Sequence, residues 1–320
     1  MLPYEFKENT TLSNGVEMPT LAFGCAFGNW TDDSKFLSFQ PDLAWSIIPQ
    51  AIEAGFRHFD TALIYGTHHI LGNSLGRFFA SGDLKREDVF ITSKVFHPQV
   101  PLALNAIGNS WDLTDREIDV EKRVLHDFER CLAELNIGYL DLLLIHWPGM
   151  WDSNDPSHGK KTRKRVWKAF ETIYKSGKVR AIGVSNFMEK HFDFLDQAEV
   201  TPMLNQMEVN PYIQQTATTD FCRKKNILVE SWGPFGSGTT GVLTDPLIQS
   251  LGEKYNKNVG QIILRWLGQK GFAAAPKSSN IERMRCNLNI FDFELDREDM
   301  KKIDSLERHK SSVCTSESIA

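Results

Sequence analysis

Short apolar runs alternate with longer amphipathic segments along most of the chain. Several of the runs are apolar almost throughout, which is typical of strands that are buried on both faces in a parallel sheet. The runs that predict strands are LAFG (21–24), RHFD (57–60), VFITSK (89–94), YLDLLLIH (139–146), RAIGVSN (180–186), LNQME (204–208), ILVESW (227–232) and FAAAPKS (272–278).

The segments between these runs have helical periodicity. The clearest is Val120–Leu135, whose apolar residues recur at spacings of three and four and therefore lie on one face. Further helices are predicted at Leu43–Glu53, Val166–Lys175, Pro246–Tyr255 and Gly260–Gln269. Ahead of the first strand, Asn14-Gly15 predicts a tight turn with positive φ angles, and thus a hairpin over Thr11–Pro19.

Eight alternations of strand and helix predict an α/β fold, a single (β/α)8 TIM barrel. A doubly wound sheet fits less well, because no linker or second-domain composition is present. We expect one domain over residues 1–320, with an N-terminal β-hairpin and active-site loops at the C-terminal face of the barrel. An insertion at about 97–115 is either a surface excursion or a lid, and a polar tail at about 307–320 either passes over the pocket or is disordered.

Composition narrows the function classes. The chain has 41% hydrophobic and 24% charged residues and a formal net charge of −5, which gives no long-range attraction to nucleic acid or to acidic membranes. Its five cysteines are dispersed without a C-x-x-C pair, which argues against a zinc site and suits a reducing compartment. No apolar run approaches the roughly 18 residues of a membrane span. We expect a cytoplasmic monomer without nucleic-acid or membrane partners.

Four polar residues follow or end the predicted strands: Asp60, Tyr65, Lys94 and His146. Singly, each has an ordinary structural interpretation, but the C-terminal strand ends of a barrel converge on one mouth. There an ammonium favours the phenolate form of a neighbouring tyrosine and lowers its pKa, while a carboxylate holds the ammonium in place. A neutral imidazole can polarise a carbonyl oxygen. The set suits hydride addition to an aldehyde or ketone, with Tyr65 as the proton donor.

Seven motifs in order, DTALIYG, ITSK, LLLIHWP, GKVRAIGVSNF, NQMEVNP, SWGPFG and PKSSNIER, resemble the aldo-keto reductase family. The resemblance runs from about residue 11 to near residue 300. It implies a (β/α)8 barrel and NADPH-dependent reduction of aldehydes or ketones to alcohols without a metal. It also implies that Tyr65 is the general acid, that Lys94 lowers its pKa, that Asp60 orients the lysine and that His146 orients the carbonyl.

The same resemblance implies the residues that bind NADPH/NADP+. For the nicotinamide these are Ser185, Asn186, Gln206 and the stacking Trp232, followed by the loop residues Gly233, Pro234, Phe235 and Gly236. Lys277, Ser278 and Arg283 match the 2′-phosphate set and Asn287 an adenine contact, next to Cys286 where the family usually has glutamate. Two cations at the ribose end favour NADPH over NADH.

The stretch GSGTTG at 236–241 matches a dinucleotide fingerprint but has only one predicted strand after it, so it does not begin a Rossmann domain. It either covers the cofactor pyrophosphate with its backbone amides or is merely a flexible loop. His68-His69, which lack metal-ligand spacing, are predicted to lie at the surface.

The substrate pocket should be apolar. Gly24-Cys25-Ala26 stands where the family often has Gly-Thr-Trp, so an aromatic wall is missing or is supplied by Phe27 or Trp30, together with Trp147 and Phe96. Two rival functions stay open at this point. One is a regulatory, channel-associated subunit with the same fold. The other is a barrel hydrolase that uses Asp60 or Glu208 with His146.

Overall fold

The computed structural model describes residues 6–30, 36–95, 119–149, 156–312, 316–317 and 319. The predicted insertion at 97–115 and the predicted pocket residue Phe96 lie outside these ranges, and Trp30 is described in its backbone only. In the described part of the chain, no helix combines the length and the apolar character that crossing a membrane requires.

The described residues form strands and helices that alternate over most of the chain. In chain order the strands are β1 (Asn9–Thr11), β2 (Glu17–Pro19), β3 (Phe23–Gly24), β4 (Gly28–Trp30), β5 (Phe36–Phe39), β6 (His58–Asp60), β7 (Phe90–Val95), β8 (Leu140–Ile145), β9 (Val179–Ser185), β10 (Leu204–Glu208), β11 (Leu228–Trp232) and β12 (Ala273–Ala275). The α-helices are α1 (Ala44–Ala54), α2 (His68–Ser81), α3 (Val120–Leu135), α4 (Pro156–Lys175), α5 (Thr216–Lys224), α6 (Pro246–Tyr255), α7 (Val259–Gln269), α8 (Ile281–Leu288) and α9 (Arg297–Asp304).

Eight of these strands are parallel neighbours in one sheet, in the order β3-β6-β7-β8-β9-β10-β11-β12. The sheet closes on itself, because Leu21 forms a parallel bridge with Ala274 and the amide of Gly24 donates to the carbonyl of Pro276 at 3.0 Å. The predicted (β/α)8 barrel is confirmed. The antiparallel pair β1 and β2 forms the N-terminal hairpin, and β4 pairs with β5 in a second hairpin beside the mouth.

The apolar runs are buried because both faces of the barrel strands are covered, by the barrel interior on one side and by helices on the other. Every residue of β8 is buried. Its one polar residue, Asp141, accepts hydrogen bonds from Arg86 and Arg180 at 2.7 Å each and from the amide of Ile91 at 2.8 Å. This buried carboxylate lies near the N-terminal end of its strand, away from the mouth, where conserved polar contacts in barrels serve stability.

The structure refines two predicted elements. The hairpin turn has a positive φ at Gly15 only, at 87°, so the prediction of a left-handed Asn14 is wrong. The amide of Gly15 donates to the carbonyl of Leu12 and the amide of Leu12 to that of Val16, which makes a longer loop than a two-residue turn. Helix α4 begins ten residues before the predicted Val166, because its first turns are polar and carry no apolar period.

Candidate active site

The four predicted catalytic side chains meet at the mouth of the barrel. Asp60 is the last residue of β6, Lys94 is the penultimate residue of β7, and His146 follows β8 directly. Tyr65 lies in a short 3-10 turn, Leu63–Tyr65, in the loop after β6. Parallel strands of a barrel bring their C-terminal ends to one rim, which explains how residues far apart in sequence become neighbours.

Lys94 is fully buried and is held by a dense set of acceptors. Its Nζ lies 2.6 and 2.7 Å from the two carboxylate oxygens of Asp60 and 3.1 Å from the carbonyl of Thr61. Burial lowers the pKa of Lys94, but Asp60 and Tyr65 outweigh it and raise the pKa above its ordinary value. Lys94 is therefore an ammonium at neutral pH, as the predicted mechanism requires.

Tyr65 lies between the lysine and the histidine. Its hydroxyl is 3.5 Å from Lys94 Nζ and 3.3 Å from His146 Nε2. Burial raises the pKa of Tyr65, and although the charge of Lys94 lowers it as predicted, the pKa stays above its ordinary value. The lysine thus acts in the expected direction, but in this structure it does not produce a net lowering.

His146 is neutral in this environment. Burial lowers the pKa of His146 well below its ordinary value, and the positive charge of Lys94 lowers it further. A neutral imidazole with its proton on Nε2 and the tyrosine hydroxyl 3.3 Å away can donate to one and the same oxygen atom. The arrangement can therefore bind a carbonyl oxygen with two hydrogen bonds.

The predicted nicotinamide residues form one hydrogen-bonded cluster at the ends of β9, β10 and β11. The Asn186 amide donates to the His146 carbonyl at 2.9 Å and to Ser185 Oγ at 3.1 Å, and it accepts from the Trp232 indole at 2.8 Å. Ser185 Oγ donates to the main-chain carbonyl of Gln206 at 2.8 Å. The structure thus brings all four residues together beside His146.

The glycine loop after β11 folds into tight turns. Gly236 has a φ of 58°, and a Cβ at this position would lie 1.9 Å from Thr240 Oγ1, so only glycine fits. The amides of Gly236, Gly238, Thr239 and Thr240 donate to carbonyls at Gly233, Phe235 and Gly236. These four amides are therefore engaged within the loop, and a phosphate cradle built from them stays a prediction.

One buried polar atom of the loop lacks a hydrogen bond within the described part of the chain. Thr240 Oγ1 is buried and has no hydrogen-bond partner among the residues that the structure describes. A buried hydroxyl without a partner is costly, and such atoms in native proteins commonly belong to a ligand site. This observation fits a phosphate group close to the loop.

The predicted adenosine residues also lie together. Arg283 Nε is 3.4 Å from Ser278 Oγ, and the Lys277 ammonium lies 5.8 Å from the ring of Phe27. A Cβ at Gly260 would lie 3.4 Å from both Asn287 Oδ1 and the ring of Phe235, so these two predicted cofactor residues flank the start of α7. Phe27, predicted as a substrate wall, thus lies beside a predicted phosphate residue.

The profile of the Aldo/keto reductase family matches residues 24–308. The chain belongs to this family. It is 36% identical to a protein named glyoxal reductase of Bacillus subtilis, over 96% of this chain and 95% of that protein, and 33% identical to aldose reductase C of Dictyostelium discoideum, over 93% and 89%. An aldo-keto reductase of Bombyx mori solved in complex with NADP aligns with a TM-score of 0.80 and 29% identity, over 96% of this chain and 95% of that one.

The predicted substrate role of Trp147 stays a prediction, whereas the predicted surface position of His68 is wrong. Trp147 follows His146 and is buried. His68 is not at the surface as predicted: it is fully buried, with Nδ1 3.1 Å from Glu134 and Nε2 2.9 Å from Ser93. Adjacent residues at a helix start point to different sides, so one histidine enters the core while His69 stays exposed.

Phe39 is a site residue that the sequence reasoning missed. It ends β5, and its ring centroid is 5.2 Å from that of Tyr65. The short apolar run FLSF after the polar stretch TDDSK is the signal that could have indicated a strand. Phe39 thus places an aromatic ring beside Tyr65 at the mouth.

The described tail residues contact the mouth. Ser311 Oγ donates to Glu208, the last residue of β10, at 2.6 Å, and the amide of Ser312 donates to the same carboxylate at 2.9 Å. Farther along, the His191 ring lies 3.0 Å from the carbonyl of Ile319, whose side chain is buried. Of the two alternatives for the tail, these contacts favour passage beside the pocket.

Proposed function

We propose that this protein reduces aldehydes or ketones to alcohols with NADPH and that Tyr65 donates the proton. The observation that carries the proposal is the continuous contact from Asp60 through Lys94 to Tyr65 and His146 at the barrel mouth. Relatives named glyoxal reductase and aldose reductase support the reaction class.

NADPH, when bound, supplies the hydride that adds to the carbonyl carbon. The chain's own residues act on the carbonyl oxygen. Hydrogen bonds from the Tyr65 hydroxyl and His146 Nε2 stabilise the negative charge that develops there, and Tyr65 then transfers its proton to that oxygen. The resulting phenolate faces the Lys94 ammonium, which stabilises it, and Asp60 keeps that ammonium protonated and in place.

The acidity of Tyr65 is the demanding part of this mechanism. Burial raises the pKa of Tyr65, and among the described residues Lys94 is the cation that opposes this rise. We therefore assign Lys94 to the acidity of the tyrosine rather than to substrate binding.

Several residues fit the cofactor. Ser185, Asn186 and Gln206 would hold the nicotinamide carboxamide, with Trp232 against the ring. The buried hydroxyl of Thr240 fits a phosphate oxygen. At the other end, Lys277, Ser278 and Arg283 would hold the 2′-phosphate, as charge-assisted hydrogen bonds to a phosphomonoester favour NADPH over NADH.

The cofactor preference has a direct test. Changing Arg283 to alanine should raise the Kd of NADPH about tenfold to a hundredfold, because a charge-assisted hydrogen bond contributes about 1.5–3 kcal/mol. The Kd of NADH should change little. An equal rise in the Kd of NADPH and of NADH would contradict the assignment of the 2′-phosphate to this end of the site.

The reaction is tested by NADPH consumption with an aromatic aldehyde in the native protein and in Tyr65→Phe. We expect turnover to fall by at least about a hundredfold with NADPH binding unchanged, since general acid catalysis contributes about 10²–10⁴. NADPH binding is followed by quenching of tryptophan fluorescence. A native protein that binds NADPH but turns over none of a varied set of carbonyls would refute the reductase and favour the regulatory-subunit alternative.

Two further expectations belong to this proposal. One is that the protein is a monomer, which light scattering tests through the molar mass in solution. The other is a cytoplasmic location, which cell fractionation tests. Neither affects the chemistry derived above.

A further inference from the structure

The mechanism above leaves one buried acidic residue unexplained. Glu230 lies in the middle of β11, and none of its surface is exposed. It faces the barrel interior close to Asp60 and Lys94, whose charges both act on it. Burying an acidic group costs free energy, so the presence of Glu230 in the barrel interior calls for an explanation.

Glu230 is joined to the site through the side-chain amide of Gln206. Gln206 Nε2 lies 2.7 Å from Glu230 Oε2 and 2.9 Å from Asp60 Oδ1. Strand register fixes this pairing, because Gln206 lies opposite Glu230 on β11 and opposite Ser185 on β9. Both hydrogens of the amide are therefore committed to acidic groups on either side.

This pairing determines which way the amide faces. Rotating the amide by half a turn would place its oxygen against the Asp60 carboxylate, which has no hydrogen to donate, and would take the second amide hydrogen away from Glu230 Oε2. With Nε2 so fixed, Oε1 is the atom of Gln206 that can accept a hydrogen bond from a ligand. The carboxamide of a nicotinamide ring presents an NH₂ group that needs such an acceptor.

The protonation state of Glu230 suits this role. Burial and the charge of Asp60 raise the pKa of Glu230 to about 8, while Gln206 and Lys94 oppose the rise only in part. Among the described residues, Glu230 Oε1 has no hydrogen-bond partner, which is more tolerable for a neutral carboxyl than for a carboxylate. Glu230 is therefore neutral at neutral pH.

We propose that Glu230 is a positioning residue for cofactor binding, which acts by fixing the amide of Gln206 so that its oxygen faces the nicotinamide carboxamide. This inference rests on the proposed function, since it requires a nicotinamide at the mouth. It adds a residue of the barrel interior that acts through Gln206 and does not contact the cofactor itself.

The proposal has a consequence that depends on pH. The charged groups that act on Glu230 are Asp60 on β6 and Lys94 on β7. Once Glu230 ionises at alkaline pH, a second negative charge joins that of Asp60 beside Gln206, which would hold the nicotinamide. That charge favours the oxidised ring, which is positive, over the reduced ring, which is neutral. The ratio of the Kd of NADPH to the Kd of NADP+ should therefore rise with pH.

The test compares the native protein with Glu230→Gln and Glu230→Met by fluorescence titration with NADPH and with NADP+. Glutamine keeps an acceptor for Gln206 and cannot ionise, so we expect native-like NADPH affinity near neutral pH and a Kd ratio that does not change with pH. Methionine removes the acceptor, so the Kd of NADPH and the Kd of NADP+ should each rise about tenfold, as expected when a buried donor loses its partner.

Three outcomes would overturn the proposal. They are native affinity in Glu230→Met, a Kd ratio in Glu230→Gln that follows pH as the native ratio does, and weak binding in Glu230→Gln at every pH despite a native unfolding midpoint. If Glu230→Met does not fold, the glutamine variant still decides, because its pH profile needs no loss of affinity. A native protein that binds neither cofactor refutes the proposed function itself, which distinguishes the two failures.

Discussion

Replacing Asp60 with asparagine would leave the ammonium of Lys94 in the barrel interior without its counter-charge. In the native protein the two oxygens of Asp60 lie 2.6 and 2.7 Å from Lys94 Nζ, and no part of the lysine is exposed. Breaking a buried ion pair on one side costs about 3–5 kcal/mol. The lysine can avoid much of that cost by losing its proton, because a neutral amine can accept from the new asparagine amide.

The sign of the pH effect follows from this deprotonation. In the native protein the pKa of Lys94 is raised, so its stabilising contribution is complete at neutral pH and is lost only as pH rises through the folded-state value. In Asp60→Asn, burial acts without Asp60 and should lower the folded-state pKa below the unfolded value of about 10.4. The unfolded chain then binds one proton more than the folded one, and the free energy of unfolding should rise with pH by about 1.4 kcal/mol per unit.

The assay is urea unfolding of the variant over the range from about pH 6 to about pH 9, where a single extra proton gives the slope stated above. The matched control is the double variant Asp60→Asn/Lys94→Met, which has the same loss of carboxylate but no amine. Other titrating groups contribute equally to both, so the difference isolates the lysine. Parallel pH dependence in the single and double variants would refute the claim that Asp60 keeps Lys94 charged.

Three further predictions concern stability and recognition. Burial lowers the pKa of His58 to about 4, so its contribution to the free energy of unfolding is present above the unfolded-state pKa of about 6.5 and is lost as pH falls through the folded-state value. The variant His58→Gln lacks this titration, so its free energy of unfolding should fall less on acidification, by about 2 kcal/mol near pH 5. Urea titration measures the difference. Gly236→Ala places a Cβ 1.9 Å from Thr240 Oγ1 and should weaken NADPH binding at least about tenfold in fluorescence titrations. In the control Gly238→Ala the new Cβ meets open space, so the variant has only the left-handed backbone cost of about 1–2 kcal/mol. Equal effects of the two variants would contradict the steric argument. Phe39→Ala should raise KM for aromatic aldehydes about tenfold and leave KM for small aliphatic aldehydes nearly unchanged, because an aromatic pair contributes about 0.5–1.5 kcal/mol beyond its buried area. A parallel change of KM for both substrates in steady-state assays would exclude contact between Phe39 and the substrate ring.

The elements that the sequence predicts best are those whose ends carry local signals. Helices α3 and α6 were predicted with their observed ends. Asp119 and Asp245 accept hydrogen bonds from the first-turn amides, and Asn136 and Asn256 take left-handed conformations just after the last turn. Caps of this kind depend on a few consecutive residues, so they can be recognised without knowledge of the rest of the molecule.

Helix α2 shows why other elements were not predicted. It contains two glycines, which disfavour a helix, and its period is interrupted by polar residues. The structure explains one of them: a Cβ at Gly72 would lie 2.0 Å from the carbonyl oxygen of Leu135, so α2 packs directly on the end of α3. That contact joins residues more than sixty positions apart, and only the folded chain reveals it.

The residues of the candidate site also differ in whether the sequence could predict their positions. Asp60, Lys94 and His146 were predictable because each stands at a strand end, and strand ends of a barrel meet by topology alone. The neighbourhoods of Glu230 and Phe39 were not, because they depend on strand register and on a hairpin that packs against Tyr65. The net pKa of the tyrosine also required the structure, since burial and a charge act on it in opposite directions.

The barrel contains two layers of buried polar residues, one near the N-terminal strand ends and one at the mouth. The two layers differ in how completely their polar groups are hydrogen-bonded. Near the N-terminal strand ends, both oxygens of the fully buried Asp141 are paired, with Arg180 on one and with Arg86 and a main-chain amide on the other. At the mouth, the contacts of the Tyr65 hydroxyl with His146 Nε2 and Lys94 Nζ are 3.3 and 3.5 Å, which is long for hydrogen bonds. Complete pairing leaves a buried group nothing to offer a ligand, whereas incomplete pairing is unfavourable until a ligand supplies the missing contacts. The second layer is therefore where binding energy can be gained, and it is the layer that holds every residue of the proposed reaction.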